Sequence, residues 1–400
     1  MADVEPLNAL HYDLAKVGGL QPVAAPPYDV IDATQRAELV GRSPYNVVEV
    51  DLPENGTDPY GHAASVLARW SQEGVVVRDD TPALWALAQD YTGPDGQART
   101  RHGVFARVKV TDYGPGRIRP HERTHPGPKE DRLRLTRATR ANLSPIFSLY
   151  DDPGNAAWKA VEPFTQDAPW GTVTDDDGTV HKLWRITDPD AIAAFTAALK
   201  DTELLIADGH HRYETARVYH QENPSADHVL MCLVALQDSG LTVFPTHRLV
   251  SNADRAKLQA ALDSDWTTEP RDTLSIGYYA DGEERTLYLK DWAIADAALE
   301  GKPEPYRRLD TAVLEALILK QALGMTEDDI SHFNGLNYAR TPEEARAKVD
   351  AGEADAAFFM SPTPVERVRD VAAAGENMPP KSTYFFPKVL TGMIFNPLED

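Results

Sequence analysis

Apolar and polar positions along this chain keep switching between two periods. Ala63, Val66, Leu67 and Trp70 share one helical face, which predicts an amphipathic helix over 62–72. Asp32 is a ready N-cap for a helix from Ala33, and Ser43-Pro44 stops it. Between those helices, residues 45–52 alternate and carry Val47, Val48 and Val50, a pattern that predicts a strand. Strands are expected over 83–90 and 103–110, joined through the turn Gly93-Pro94-Asp95-Gly96-Gln97. Residues 113–128 are rich in Gly, Pro, His and Arg and predict a long loop, followed by a short helix over 130–141 and a strand over 146–150.

Strands at 171–174 and 181–186 flank another turn, Asp175-Asp176-Asp177-Gly178. A helix over 190–199, a strand over 203–207, a helix over 213–222 and a strand over 229–235 follow. Further on, the pattern predicts a helix over 255–262, strands at 275–280 and 285–289, and a strong helix over 311–322. Helices over 342–351 and 364–373 bracket a buried strand at 356–360. The expected class is α/β in the mixed α+β sense, without a regular βαβ rhythm and without repeats. Two domains are expected, 1–250 and 251–400, with the last segment able to return to the first.

Composition narrows the class. An apolar fraction of 42% and a charged fraction of 26% belong to a globular chain. No run of about 18 apolar residues occurs, and the start Met1-Ala2-Asp3-Val4 has no basic region before an apolar core, so a cytoplasmic protein without membrane contact is expected. The lone Cys232 lies in an apolar run and reads as a buried thiol. A net charge of −22 disfavours binding to nucleic acid, which relies on neutralising phosphates.

Within this acidic chain, residues 117–140 carry eight Lys and Arg against three acidic residues, Glu122, Glu130 and Asp131. Such an island predicts an anion pocket, against the competing reading of a solvated helix with surface ion pairs. Its candidate ligand residues are His121, Glu122, Thr124, Lys129 and Arg132, in a stretch that also holds Arg123 and His125.

The strongest candidate chemistry is Asp208-Gly209-His210-His211-Arg212-Tyr213, where an apolar strand ends, a glycine turns and a helix begins. The N-terminus of a helix offers free N–H groups and partial positive charge to an anion, and Arg212 can add a bidentate grip. An Asp-Gly turn that merely caps a helix is the competing reading. Lys381-Ser382-Thr383-Tyr384 is a third candidate, since a lysine beside hydroxyls can hold phosphate or carboxylate. No Cys/His spacing suggests a metal site.

These motifs, with Ala25-Pro26-Pro27-Tyr28-Asp29-Val30, Pro120-His121-Glu122-Arg123-Thr124, Pro126-Gly127-Pro128-Lys129-Glu130-Asp131 and Met378-Pro379-Pro380-Lys381, resemble the bacterial family called domain of unknown function 1015 over most of the chain. The short loop Gly209-His210-His211-Arg212 resembles the phosphate loops of sulfiredoxins, ParB partition proteins and ParB-like free serine kinases. The reactive cysteine of sulfiredoxins falls on His210, which excludes sulfinic acid reduction. The serine-kinase pattern matches at Asp208, Gly209, His211 and Arg212.

That resemblance implies a ParB/sulfiredoxin-like nucleotide-binding core with added sheet and helices. It also implies a phosphotransferase acting on serine or phosphoserine with ATP or ADP and Mg2+. Gly209, His211, Arg212 and Tyr213 would hold nucleotide phosphates, and Glu122, Asp208 and His210 would be catalytic. His121, Thr124, Lys129, Arg132, Tyr28, Asp29 and Lys381 would meet the substrate. The alternatives are a hydrolase of a phosphorylated small molecule and a non-catalytic, ParB-like nucleotide-binding regulator. The expected partners are a small substrate and a nucleotide, and a homodimer is compatible with all three.

Overall fold

The computed structural model describes residues 2–54, 56–93, 95–122, 124 and 126–399, and Arg123 and His125 of the basic island lie outside them. The chain divides into two compact units, Met1–Leu241 with Pro387–Asp400, and Thr242–Phe386. The second is thus inserted into the first in sequence.

Among the described residues of the first unit, nine strands form one mixed sheet. In chain order they are β1 (Val4–Glu5), β2 (Leu84–Thr92), β3 (Ala98–Lys109), β4 (Ile118–Arg119), β5 (Ile146–Tyr150), β6 (Gly171–Thr174), β7 (Val180–Ile186), β8 (Leu204–Asp208) and β9 (His228–Ala235). The spatial order is β4-β8-β5-β9-β3-β2-β7-β6, with β1 also on β3. Pairing is antiparallel except for β4 with β8 and β5 with β9. Alternation along β2 and β3 divides the side chains between two faces. Leu84, Ala86, Val104, Ala106 and Val108 enter an apolar core with Trp158, Phe195, Leu199 and Tyr213. Gln89 and Arg101, directly opposite each other, lie on the other face with Trp85 and Phe105.

Three helices frame the region of interest: α1 (Pro59–Gln72), α2 (Pro126–Thr139) and α3 (His210–Glu222). Helix α2 packs against both α1 and α3. Leu133 of α2, Tyr219 of α3, Ala226 and Leu398 form a small apolar cluster beside them. Helix α3 begins three residues earlier than its apolar period predicts, because the period senses core packing and not the polar first turn.

The final segment belongs to this unit. Main-chain bonds join Ala25 with Thr391 and Leu10 with Phe395 in both directions, and Asn396–Pro397 pairs with Ala141–Asn142. Leu390, Met393, Ile394 and Phe395 are buried by that docking.

The predicted strand at 45–52 is a correction. Val48–Asp51 is a single helical turn. Buried Asn46 accepts from the Val48 N–H at 3.1 Å and donates to the carbonyls of Pro22 at 2.9 Å and Ala24 at 3.3 Å, so its side chain replaces the ladder a strand would need. The predicted helix over 311–322 also changes character, running as Asp310–Leu314 and then as a π-helix over Glu315–Ala322.

In the second unit, six strands form an antiparallel sheet among the described residues. They are β10 (His247–Val250), β11 (Trp266–Thr267), β12 (Ser275–Ala280), β13 (Glu283–Leu289), β14 (Leu336–Ala339) and β15 (Ala356–Phe359), in the order β11-β13-β12-β15-β10-β14. Leu258, Leu262, Val313, Leu317 and Ile318 pack on one face of it with Phe358 and Leu289. No helix among the described residues is long and apolar enough to cross a membrane.

Asn46→Ala removes the acceptor for the Val48 N–H and the donor to the Pro22 and Ala24 carbonyls. Urea denaturation should show about 2 kcal/mol less stability, with the midpoint lowered and the slope unchanged.

Candidate functional site

The site grows from the end of β8. Ile206 faces Ser148 on β5 and Asp208 faces Phe147, so Ala207 is an extra residue and the register shifts there. A bulge bends a strand and re-aims the following side chain. Here it delivers Asp208 to the strand end and Gly209 to the start of α3. Gly209 has φ +97, and a Cβ there would lie 3.0 Å from Arg212 Nε. The left-handed turn and the overlying guanidinium therefore both require glycine. The N-cap of α3 is Gly209, which has no side chain to cap the helix, so the first turn opens at the strand end.

Asp208 sits between two cations. Lys388 Nζ donates to Oδ2 at 2.8 Å, and Arg212 Nη2 lies 3.4 Å from Oδ1. Burial alone would raise the pKa of this carboxyl, yet Lys388 and Arg212 together hold it well below the usual carboxylate range. Arg212 also donates through Nη1 to the Pro145 carbonyl. Two cations thus meet this carboxylate beside the positive end of α3.

His121, Glu122 and His210 form a second group beside it. The His121 N–H donates to His210 Nε2 at 3.2 Å, and His121 Nδ1 meets the Ile206 carbonyl at 2.6 Å. Those partners assign His210 as an acceptor at Nε2 and His121 as a donor at Nδ1, which suits two neutral rings. Burial lowers the pKa of both, and at His210 the neighbouring His121 lowers it further. The rings meet edge to face with centroids 4.6 Å apart. Glu122 reaches both, with 3.8 Å to His121 Nε2 and 3.8 Å to His210 Nδ1.

A third group lies around Asp51, which the sequence pattern placed in a strand. Buried Asp51 accepts from Ser144 Oγ at 2.9 Å, while Arg132 Nη1 lies 3.4 Å from Oδ1 and 2.7 Å from the Asp51 carbonyl. Ser144 Oγ also lies 2.8 Å from Thr391 Oγ1. Arg132 stacks on the Tyr28 ring at 4.0 Å and pairs with Asp131 at 2.6 Å. Burial pushes the Tyr28 hydroxyl up to about 12, against the pull of Arg212 and then Arg132.

The structure thus brings together His121, Glu122, Asp208, Gly209, His210 and Arg212, with Tyr28 in the field of Arg212. It assigns different work to several other expected residues. Arg132 is buried and its donors are committed to Asp51 and Asp131, so it anchors α2 and does not grip a substrate. Tyr213 is fully buried, and its hydroxyl exchanges hydrogen bonds with the Thr111 backbone at 2.9 and 3.0 Å, so it pins α3 to the core. Lys129 lies 3.6 Å from Glu214 of α3. Thr124 and His211 are half-buried and Asp29 is exposed. Lys381 is exposed in the second unit. The lysine at this site is Lys388, seven residues later, just after the proline at which the chain rejoins the first unit.

The basic island is not one anion pocket. Arg134, Arg137 and Arg140 pair with Glu130, Glu222 and Glu399 at 3.2, 2.6 and 2.7 Å, and Arg119 pairs with Glu203 at 2.9 Å. Open clefts of about 450 Å3 along Thr57–Tyr60 and Arg134–Ala138, and of about 410 Å3 along Asp90–Thr92 and Ala98–Thr100, lie away from the convergent groups.

The neutral state of His210 sets a pH dependence. Its folded pKa lies below the unfolded value of about 6.5, so the folded state binds fewer protons and stability is complete above that pH and falls below it. In His210→Gln, the loss of stability on acidification below about pH 6.5 should shrink by up to about 1.4 kcal/mol per pH unit, read by urea denaturation at a series of pH values.

No curated protein matches the chain. Similar solved structures include a conserved hypothetical protein from Pyrococcus furiosus, 16% identical, covering 70% of this chain and 90% of that one with a TM-score of 0.36. Free serine kinase in complex with AMP is 15% identical, covering 70% and 86% with a TM-score of 0.38. SbnI with C-terminal truncation from Staphylococcus aureus is 14% identical, covering 74% and 87% with a TM-score of 0.40. The family model described as protein of unknown function (DUF1015) matches residues 4–312, and the chain belongs to that family.

Proposed function

We propose that this protein is a phosphotransferase that moves a phosphoryl group between a nucleotide, ATP or ADP, and the hydroxyl of a small amino acid, with serine as the leading substrate. The observation that carries the reading is the start of α3 directly after a strand end, with Gly209 giving close backbone approach and Arg212 and Lys388 both beside Asp208. Backbone N–H groups, a helix dipole and two cations are the donor set that phosphate oxygens require. The serine assignment rests on the loop's likeness to free serine kinases.

In this scheme the N–H groups after Gly209 and the Arg212 guanidinium hold the nucleotide phosphates. Lys388 is shared between Asp208 and the transferred group. The substrate hydroxyl gives its proton to Glu122 as its oxygen attacks the terminal phosphorus. The bond from that phosphorus to the bridging oxygen breaks, and the electron pair leaves with the shortened nucleotide. His121 and His210, neutral and buried, lie 3.8 Å from Glu122 without neutralising its charge. Among the described residues no three His, Cys, Asp or Glu gather to hold a metal. Mg2+ carried on the nucleotide phosphates would add charge neutralisation in this scheme.

Phosphorus NMR of purified protein with ATP or ADP, Mg2+ and serine should show phosphoserine and the shortened nucleotide. Glu122→Gln should lower kcat by about 10² to 10⁴ while nucleotide still binds, and Arg212→Ala should lower kcat/KM by about 10² to 10³. Release of inorganic phosphate in place of phosphoserine would favour a hydrolase. Nucleotide binding with no turnover would favour a regulator.

A further inference from the structure

Lys388 reaches the site by an unusual route. The whole second unit, Thr242–Phe386, intervenes between β9 and the segment that carries this lysine. Nothing local to the chain can therefore set where the returning residues dock. Besides the main-chain bonds at Thr391 and Phe395, a polar row on the sheet face opposite the main core holds them. Arg101 on β3, Gln89 on β2 and His181 on β7 are direct cross-strand neighbours, all fully or almost fully buried.

Arg101 donates through Nε at 2.9 Å and Nη2 at 2.6 Å to Gln89 Oε1. That pair fixes which way the amide faces. The Gln89 amide nitrogen then donates to the Lys388 carbonyl at 3.0 Å and to His181 Nδ1 at 3.1 Å. With Nδ1 accepting, His181 donates from Nε2 to Asp175 at 2.9 Å. Arg101 Nη2 also donates to the Pro387 carbonyl at 2.6 Å. Two consecutive carbonyls of the returning chain are thus held, and the side chain of the second ends 2.8 Å from Asp208. The Arg101 guanidinium lies over Phe147 at 4.5 Å, and Phe147 is the strand partner of Asp208 at the bulge. The same group therefore supports both members of the Lys388–Asp208 pair.

We propose that Arg101 and Gln89 are positioning residues for Lys388, and that the row Arg101–Gln89–His181–Asp175 determines where the Lys388 ammonium stands at the phosphate site. The inference rests on the phosphate-binding reading for its consequence, and on main-chain geometry for its cause. A displacement of about 1 Å in such a group can cost about 10²-fold in a positioned reaction.

The test is a double-mutant cycle with Gln89→Met and Lys388→Met, reading MgADP affinity by calorimetry. Gln89→Met should weaken MgADP by about tenfold in the native background and hardly at all once Lys388 is Met, because coupled residues are non-additive. Equal losses in both backgrounds would overturn the proposal. Acetylation of Lys388 by acetic anhydride, followed by mass spectrometry, reads its position without any ligand. Gln89→Met should raise that rate about tenfold by loosening the Asp208 pair, and an unchanged rate would overturn the proposal too. Asp175→Asn, at the outer end of the row, should give a smaller change of the same sign, and serves if the core variant does not fold. Native protein that binds no MgADP would count against the phosphate-site reading, while the acetylation rates would still decide the positioning claim.

Discussion

The site depends on keeping one carboxylate charged where water is scarce. Asp208 ends an apolar strand, and an ion in that setting is tolerated only with opposite charge and hydrogen bonds against it. One partner, Arg212, lies one helical turn ahead and comes with the local sequence. The other, Lys388, lies 180 residues on and comes only with the fold. Once both are placed, the strand end, the glycine turn and the first turn of α3 are held together.

The returning segment has the same part in the neighbouring group. Thr391 meets Ser144, Ser144 donates to Asp51, and Asp51 meets Arg132. Burial raises the pKa of Asp51, with Arg132 and then Ser144 opposing it. Arg132 in turn fixes α2 and the Tyr28 ring. Lys388 and Thr391, three residues apart, thus serve two polar clusters on the two sides of Arg212, while their backbones are tied to Gln89 and Ala25. Removing one partner from clusters of this kind leaves a buried charge exposed to its own desolvation cost, so their members act as a set.

Electrostatic neutrality is as important as charge here. His121 and His210 keep single protons, defined by the Ile206 carbonyl and the His121 N–H. A charged imidazole at either position would pair with Glu122 and weaken it as a proton acceptor. Burial of both rings, with His121 further lowering His210, favours the neutral form of each.

Much of this was legible from the chain itself, for physical reasons that are local. Turn residues beside them marked β2, β3 and β7, an apolar run marked β9, and period-3.6 spacing marked α1, because turn chemistry and burial are both written locally. The junction after Asp208 could be read because glycine, a strand end and a helix start are neighbours in sequence. The Val48–Asp51 turn was misread as a strand, since alternating valines cannot reveal that Asn46 supplies the missing hydrogen bonds. Residue types also could not separate Arg132, whose donors are spent inside the fold, from Arg212, or Lys381 from Lys388. Those distinctions are set by long-range main-chain pairing, in which Arg101 and Gln89 hold the carbonyls of residues nearly three hundred positions away. Sequence determined the elements and the chemistry available at one loop. Tertiary structure decided which distant cation completes it, because only closure of the chain brings the two ends of that ion pair together.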